Sequence, residues 1–174
     1  MGFDLKMTEV ILITGCINSG KSTTAKYIRN AMKRRGHSAA VVSFATPLKE
    51  LAARYFNYTE IDKTKKRDLL ENLATDLKEL FGKQLFGYTL LDKCQYLDVD
   101  YIIIDDLRYS YEFDVIAEYF ASTVIKMPTP KTVDDADFRR IQQLTDHFDK
   151  LDFEYTQLKA LRNEEIDKFI YGIV

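Results

Sequence analysis

Short apolar runs alternate with amphipathic stretches along this chain, and the alternation predicts an α/β domain with a mainly parallel sheet. The run at 10–14 is rich in β-branched residues and is followed directly by a glycine, which indicates a buried first strand. Further strands are predicted at 39–44, 101–106 and 122–127, with a weaker candidate at 153–156. No repeat or flexible linker interrupts the pattern, so we predict a single domain over 1–174.

Helical periodicity fills the intervals between these strands. The first predicted helix begins at Lys21 and ends before Gly36, with basic residues in its last turn. Thr46, which precedes Pro47, and Ser110 are the predicted N-caps of two more helices. The other helices are predicted from leucines spaced for one apolar face at 69, 70, 73, 77 and 80, and over 86–94, 138–148 and 163–171.

Between the first strand and the first helix, residues 15–22 read Gly-Cys-Ile-Asn-Ser-Gly-Lys-Ser, a complete phosphate-binding loop. Such a loop presents backbone N–H groups to a polyphosphate, and the following helix directs its positive dipole end at the same anion. Lys21 is expected to reach the β- and γ-phosphates of ATP, and the Ser22 hydroxyl to bind Mg²⁺. A glycine-rich turn without a ligand is the alternative, which the position between strand and helix disfavours. The predicted nucleotide-binding residues are Gly15, Asn18, Ser19, Gly20, Lys21, Ser22 and Thr23.

The predicted strand at 101–106 ends in two carboxylates, Asp105 and Asp106. Because the carboxyl ends of parallel strands converge on one crevice, a carboxylate here is expected to reach the Mg²⁺ region. A solvated acidic turn after a strand is the alternative. Spacing does not decide which of the two carboxylates serves the metal, and both remain candidates together with Ser22.

A phosphate acceptor requires a second set of cations beside the donor loop. The strongest candidate is Arg108, because it lies two residues beyond the acidic pair. Arg139 and Arg140 follow a polar loop at the position where kinases of this size carry a closing lid. Lys49 and a basic cluster at 63–67, which includes Arg67, are further candidates, although solvated surface charge is an ordinary explanation for each.

Composition excludes other classes of function. The net charge of -2 and the isoelectric point near 5.8 provide no basic field, so no nucleic-acid partner is expected. No apolar run is long enough for a transmembrane helix. Cys16 and Cys94 form no disulfide or metal-ligand pattern, which indicates a reduced, cytoplasmic protein. His37 and His147 stand in no general-base arrangement, as fits an acceptor that is already anionic.

Two segments extend the picture given by the loop: Ser-Phe-Ala-Thr-Pro-Leu-Lys at 43–49, and an Asp-x-Arg-x-x-x-Glu pattern at 106–112. With the loop they make three motifs in order, over about residues 8–120, and the chain resembles the bacteriophage-type deoxynucleoside monophosphate kinases of the P-loop superfamily. Animal-type phosphomevalonate kinases share a similar layout. The C-terminal third departs from the family, because His-Phe-Asp-Lys at 147–150 stands where the family often has His-x-Ser-Glu.

The resemblance implies a P-loop three-layer α/β/α fold with a five-stranded, mainly parallel sheet. It implies a helical monophosphate-binding segment at about 46–97 and a small lid at about 128–147. It further implies ATP and Mg²⁺ as cofactors, small nucleotide substrates, a possible homodimer and, for a phage-encoded chain, the cytoplasm of the host. Asp106 would lie on the metal side, and Glu112 would orient Arg108 or contact the acceptor nucleoside. The implied substrate-binding residues are Phe44, Lys49, Arg67, Arg108 and Glu112, and the implied catalytic residues are Lys21, Asp106, Arg108, Arg139 and Arg140.

We therefore predict an ATP-dependent kinase that converts a (deoxy)nucleoside monophosphate to the diphosphate. A kinase of another small phosphorylated metabolite is the alternative within enzymes. A GTPase switch or ATP-driven motor is disfavoured, because the Asn-Lys-x-Asp, Asp-x-x-Gly and ABC-type signatures are absent from the sequence. A pseudo-enzyme that binds nucleotide without transfer is disfavoured by the intact Lys21, Ser22, Asp106 and Arg108.

Overall fold

One parallel sheet forms the centre of the molecule, with strand order β2-β3-β1-β4-β5. The computed structural model describes residues 7–59, 66–151, 156–157 and 163–173. The strands are β1 (Glu9–Thr14), β2 (Ala39–Val42), β3 (Tyr101–Leu107), β4 (Ala121–Lys126) and β5 (Thr156–Gln157). The predicted α/β class with a parallel sheet is therefore confirmed.

The sheet has four strands of ordinary length rather than the five that were expected. β5 has only 2 residues, which pair with the end of β4. The predicted strand at 153–156 overlaps β5 only at Thr156, because the rest of that prediction lies outside the described residues.

Seven helices are described along the chain, and most begin within a few residues of their predicted starts. They are α1 (Lys21–Arg34), α2 (Thr46–Phe56), α3 (Arg67–Phe81), α4 (Leu85–Gln95), α5 (Ser110–Ala117), α6 (Asp135–Lys150) and α7 (Asn163–Ile173). Within the described ranges, no helix combines the length and the apolar character that a membrane span requires.

The N-caps predicted for α2 and α5 are wrong by one residue. Thr46 and Ser110 are the first helical residues, and Ala45 and Tyr109 occupy the cap positions without a capping side chain. The N–H groups of these two cap residues are held by carboxylates: Asp106 of β3 accepts that of Ala45, and Glu112 of α5 accepts that of Tyr109.

The two faces of the sheet are covered by different helices, because successive side chains of a strand point to opposite faces. Ile11 and Ile13 of β1 pack against α1 and α7, whereas Val10 and Leu12 pack against α4, α5 and α6. This arrangement gives three α/β/α layers with an apolar interior of aliphatic and aromatic side chains.

α3 is confirmed as a helix, but its leucines are not buried in the core. None of its residues is fully buried, and Leu80 is 75% exposed. α3 packs along α2 and α4 at the margin of the molecule, so it adds little to the central core.

The chain crosses from one face of the sheet to the other between β1 and β3. β1 is followed by α1 on one face, and the neighbouring strand β3 is followed by α5 on the other. The carboxyl ends of such a strand pair diverge into a crevice, which is where open α/β sheets bind ligands. The loop at 15–20 and the segment after Asp105 both open into this crevice.

Candidate phosphate-binding site

The loop between β1 and α1 has the backbone of an anion-binding turn. Gly15, Asn18 and Gly20 have φ angles of 153°, 63° and 89°, and Gly20 is the N-cap residue of α1. A Cβ atom at Gly15 would lie 2.7 Å from the Ser19 Oγ atom and 2.8 Å from the Met127 Cβ atom, so only glycine fits there. The loop therefore turns tightly and directs the N-terminus of a 14-residue helix at the crevice.

Lys21 lies across the mouth of this loop. Its ammonium group donates hydrogen bonds to the carbonyl oxygens of Gly15 and Cys16, each at 2.8 Å. Burial, followed by the nearby Arg108 and Arg140 guanidinium groups, lowers the pKa of Lys21 from its ordinary value. Three cations therefore meet at one place, and a polyanion is the ligand that relieves their mutual repulsion.

The other predicted loop residues differ in exposure. Asn18, Ser22 and Thr23 are exposed at the surface of the loop. The Ser19 side chain is buried, and within the described part of the chain its hydroxyl group has no hydrogen-bond partner. The backbone N–H of Ile17 is donated to a carboxylate of α6, so it is not directed at a ligand.

Asp105 and Ser22 provide the oxygen atoms on one side of the site. The Ser22 hydroxyl is hydrogen-bonded to the Asp105 carboxylate, and Lys49 is close enough to favour the ionised form. Burial and the neighbouring Asp106 nevertheless raise the pKa of Asp105 above its usual range. A hydroxyl and a partly desolvated carboxylate are the oxygen donors that Mg²⁺ prefers, so these two residues fit a magnesium ion.

Asp106 has a different role from the one that the resemblance implied. Its carboxylate accepts hydrogen bonds from the Ser43 hydroxyl at 2.7 Å, the Phe44 N–H at 2.8 Å and the Ala45 N–H at 3.0 Å. Asp106 therefore ties the segment between β2 and α2 to β3, and it is not the carboxylate that faces Ser22.

The adjacent aspartates diverge because successive side chains of a strand point to opposite faces, and β3 is also irregular at this place. Leu12 pairs with Ile104, but Thr14 pairs with Leu107, so β3 has one extra residue opposite Ile13. An extra residue bends a strand and redirects its side chains. The Thr14 hydroxyl then donates to the Leu107 carbonyl at 2.9 Å, which holds the two strand ends together beyond the irregularity.

Arg140 reaches the same crevice from α6. Its guanidinium forms an ion pair with Asp137, and its Nη1 atom donates to the Arg108 carbonyl oxygen at 3.1 Å. Asp137 in turn accepts the N–H of Ile17 in the phosphate-binding loop at 2.7 Å. The start of α6 is thus joined both to the loop after β1 and to the segment after β3.

Arg108 and Glu112 are brought together through the backbone. The buried Glu112 carboxylate accepts the N–H groups of Arg108 and Tyr109 at 2.9 Å and 3.1 Å. Burial raises the pKa of Glu112 to about 7. The Arg108 side chain is exposed. Glu112 fixes the backbone of Arg108, from which this guanidinium group extends.

Two predicted site residues, Arg139 and the side chain of Phe44, are not gathered into the crevice. Arg139 is exposed and its Nε atom donates to the Asp135 carbonyl oxygen of its own helix, because neighbouring helical residues point about 100° apart. The Phe44 side chain is buried in the core, and the backbone N–H of this residue donates to the Asp106 carboxylate. Arg67 is paired with Glu71 on α3, and Asp137 and Asp134 of the α6 start also lie near enough to help raise the pKa of its guanidinium. Of the basic cluster at 63–67, residues 63–65 lie outside the described residues.

Sequence reasoning missed two residues beside the site. Asp137 stands three residues before Arg140, a helical spacing that could have indicated their ion pair. Lys78 of α3 lies 4.4 Å from the ring centroid of Tyr109, and burial lowers its pKa. Nothing in the sequence indicates this contact, because it depends on how α3 packs against α5.

His147 lies away from the loop and the Cys16 thiol is not activated, so neither residue is a candidate for catalysis. The Nε2 atom of His147 lies 2.9 Å from the Asp114 carboxylate on α5, away from the loop. Burial raises the pKa of the Cys16 thiol above its ordinary value, which disfavours a reactive thiolate.

Comparison with known proteins gives only remote likenesses. No family model matches the chain, and no curated protein matches it. Among solved structures, the chain is similar to a de novo designed protein with a P-loop NTPase fold, with a TM-score of 0.46 and 12% identity over 96% of this chain and 90% of that one. It is also similar to an APS kinase from Mycobacterium tuberculosis, with a TM-score of 0.40 and 15% identity over 84% of this chain and 98% of that one. Neither likeness is close enough to assign a function to this chain. The P-loop α/β fold is instead evident in its own loop, helix dipole and parallel sheet.

Proposed function

We propose that this protein is a kinase that transfers a phosphoryl group from ATP to a (deoxy)nucleoside monophosphate. The observation that carries the proposal is the convergence of Lys21, Arg108 and Arg140 on one crevice beside the Ser22–Asp105 pair. Three cations with one hydroxyl–carboxylate pair suit a reaction in which two phosphate groups and a divalent cation meet.

The donor side of the reaction belongs to the loop and α1. The backbone N–H groups at the start of α1 and the Lys21 ammonium would hold the β- and γ-phosphates of ATP. Lys21 is already desolvated, so it attracts a phosphate more strongly than an exposed lysine would. Mg²⁺, when bound by Ser22 and Asp105, would neutralise part of the phosphate charge.

The acceptor side belongs to the segments after β2 and β3. Arg108 extends from the end of β3, and Lys49 lies near Asp105 at the start of α2. Residues 46–97 would form the monophosphate-binding segment and 128–147 the lid, with Arg140 carried over the transferring phosphate. The acceptor phosphate is anionic, so orientation and charge neutralisation suffice and no general base is required.

The test is an ATP-consumption panel with the four deoxynucleoside monophosphates, their ribonucleoside counterparts and modified pyrimidine monophosphates. We expect turnover with at least one of them, and loss of that turnover in Lys21→Ala with the fold intact by circular dichroism. Turnover of a different phosphorylated metabolite, without turnover of any monophosphate, would replace the proposal by the alternative kinase. Activity that survives Lys21→Ala would show that the site is elsewhere.

A further inference from the structure

We propose that Asp137 is a positioning residue that joins α6 to the phosphate-binding loop and thereby sets Arg140 at the mouth of the loop. The unit formed by Ile17, Asp137 and Arg140 is called the clasp below. The proposal rests on the proposed function, because the position of Arg140 affects turnover only if a phosphate is transferred at this loop.

The geometry of the clasp engages both oxygens of one carboxylate. Asp137 is only 9% exposed; its Oδ2 atom accepts the Ile17 N–H at 2.7 Å, and its Oδ1 atom pairs with Arg140. The Nη1 atom of Arg140 continues the chain of contacts to the Arg108 carbonyl oxygen at 3.1 Å. Two paired side chains of α6 therefore connect the donor loop with the backbone of the acceptor arginine.

Helix capping does not account for Asp137. The cap of α6 is Asp134, whose carboxylate accepts the N–H groups of Ala136 and Asp137, each at 3.0 Å. The Asp137 carboxylate is thus free of that task and is directed at a different segment, 120 residues earlier in the sequence.

A carboxylate beside a phosphate site normally weakens anion binding by repulsion. Here two donors, the Arg140 guanidinium and the Ile17 N–H, offset that charge, and they hold the pKa of Asp137 below its usual range although burial opposes this. The same carboxylate restricts the rotation of the Arg140 side chain. A long side chain that is already oriented loses less entropy when it meets the transferring phosphate.

The test is a double-mutant cycle measured on the full chain with its best acceptor. We expect Asp137→Ala and Arg140→Ala each to lower kcat by about 10²-fold, and the double variant to be no slower than Arg140→Ala alone. Asp135→Ala is the matched control, because Asp135 is an exposed acid in the same turn, and it should leave kcat within about twofold. Losses that multiply in the double variant would overturn the proposal.

A second readout does not depend on turnover. The Ile17 amide should exchange with solvent more than about tenfold faster in Asp137→Ala than in the wild type or in Asp135→Ala, because it loses its acceptor. Unchanged exchange at Ile17 would overturn the clasp itself. If Asp137→Ala fails to fold, Asp137→Asn provides the kinetic measurement, since it removes the charge that pairs with Arg140, and Asp137→Leu, which has a similar size but no acceptor, provides the exchange measurement. If the wild type phosphorylates no acceptor, the proposed function fails, and the exchange at Ile17 together with the same cycle on ATP affinity still decides the clasp.

Discussion

At the scale of single residues, the neighbouring carboxylates Asp105 and Asp106 should separate activity from stability. Asp105→Ala removes the oxygen donor beside Ser22, so it should lower Mg²⁺-dependent turnover by about 10²-fold and leave thermal stability unchanged or slightly higher, since a partly desolvated charge is lost. Asp106→Ala leaves the N–H groups of Phe44 and Ala45 without their acceptor and should cost about 2 kcal/mol of unfolding free energy. Urea denaturation and turnover of both variants check the pair. Equal losses of stability in the two variants would contradict the assignment.

Two adjacent arginines offer a second separation of roles at the same scale. Arg140→Ala should lower kcat by about 10²-fold, because its guanidinium lies beside Lys21 and Arg108. Arg139→Ala should stay within about twofold of the wild type, because that side chain is exposed and donates to the Asp135 carbonyl oxygen of its own helix. The two substitutions remove the same charge one residue apart, so steady-state kinetics of the pair tests orientation rather than charge. A comparable loss in Arg139→Ala would restore the role that the sequence suggested for it.

Residues that carry a fixed chemical requirement could be predicted from the sequence, whereas residues placed by packing could not. Gly15 and Lys21 belong to a contiguous loop whose geometry depends on local backbone; in the structure Gly15 has a positive φ angle, and the Lys21 ammonium donates to the Gly15 carbonyl oxygen. The choice between Asp105 and Asp106 depends on which face of β3 each side chain takes in the folded sheet, where β3 is also irregular, and spacing along the sequence reveals neither. Asp137 lies 120 residues from Ile17 in sequence, so only the folded chain brings the two together.

At the scale of elements, the start of α5 should give the protein a pH-dependent stability. Burial raises the pKa of Glu112 from 4.5 to about 7, so the folded state binds a proton that the unfolded chain has lost between these values. The free energy of unfolding contributed by Glu112 therefore falls as pH rises from about 4.5 to about 7, by roughly 3 kcal/mol at most.

Glu112→Gln should remove this dependence, because glutamine has no titrating proton and still offers an oxygen to the N–H groups of Arg108 and Tyr109. Urea denaturation across that pH range should show the variant gaining on the wild type as pH rises. Glu118→Gln, at an exposed position just after α5, is the matched control and should follow the wild type. Parallel pH profiles for wild type and Glu112→Gln would contradict the prediction.

The sequence predicted where helices and strands form better than it predicted what they pack against. Apolar periodicity and turn residues located the strands β1 to β4 and helices α1 to α6, because those signals are local. The caps of α2 and α5 were misplaced by one residue, because the carboxylates of Asp106 and Glu112 hold the N–H groups of Ala45 and Tyr109, and local sequence does not reveal these contacts. The leucines of α3 predicted a helix correctly but not its exposed position, since periodicity does not reveal what a helix packs against.

At the scale of the whole molecule, the candidate site draws on segments from three parts of the chain: the loop after β1, the end of β3 and the start of α6. A ligand that contacts all three holds them together only in the folded state, so its binding adds to global stability. ATP with Mg²⁺ at about 100 times its dissociation constant should add about 2.7 kcal/mol, which corresponds to roughly 5–10 °C in melting temperature for a domain of this size.

Lys21→Ala should lose most of this shift, whereas Lys33→Ala, an exposed lysine at the other end of α1, should keep it. Thermal melts with ATP and Mg²⁺, and with ATP and a chelator, measure both effects. A full shift in Lys21→Ala would mean that ATP binds outside the loop, and an equal shift with chelator would mean that Ser22 and Asp105 hold no metal for it.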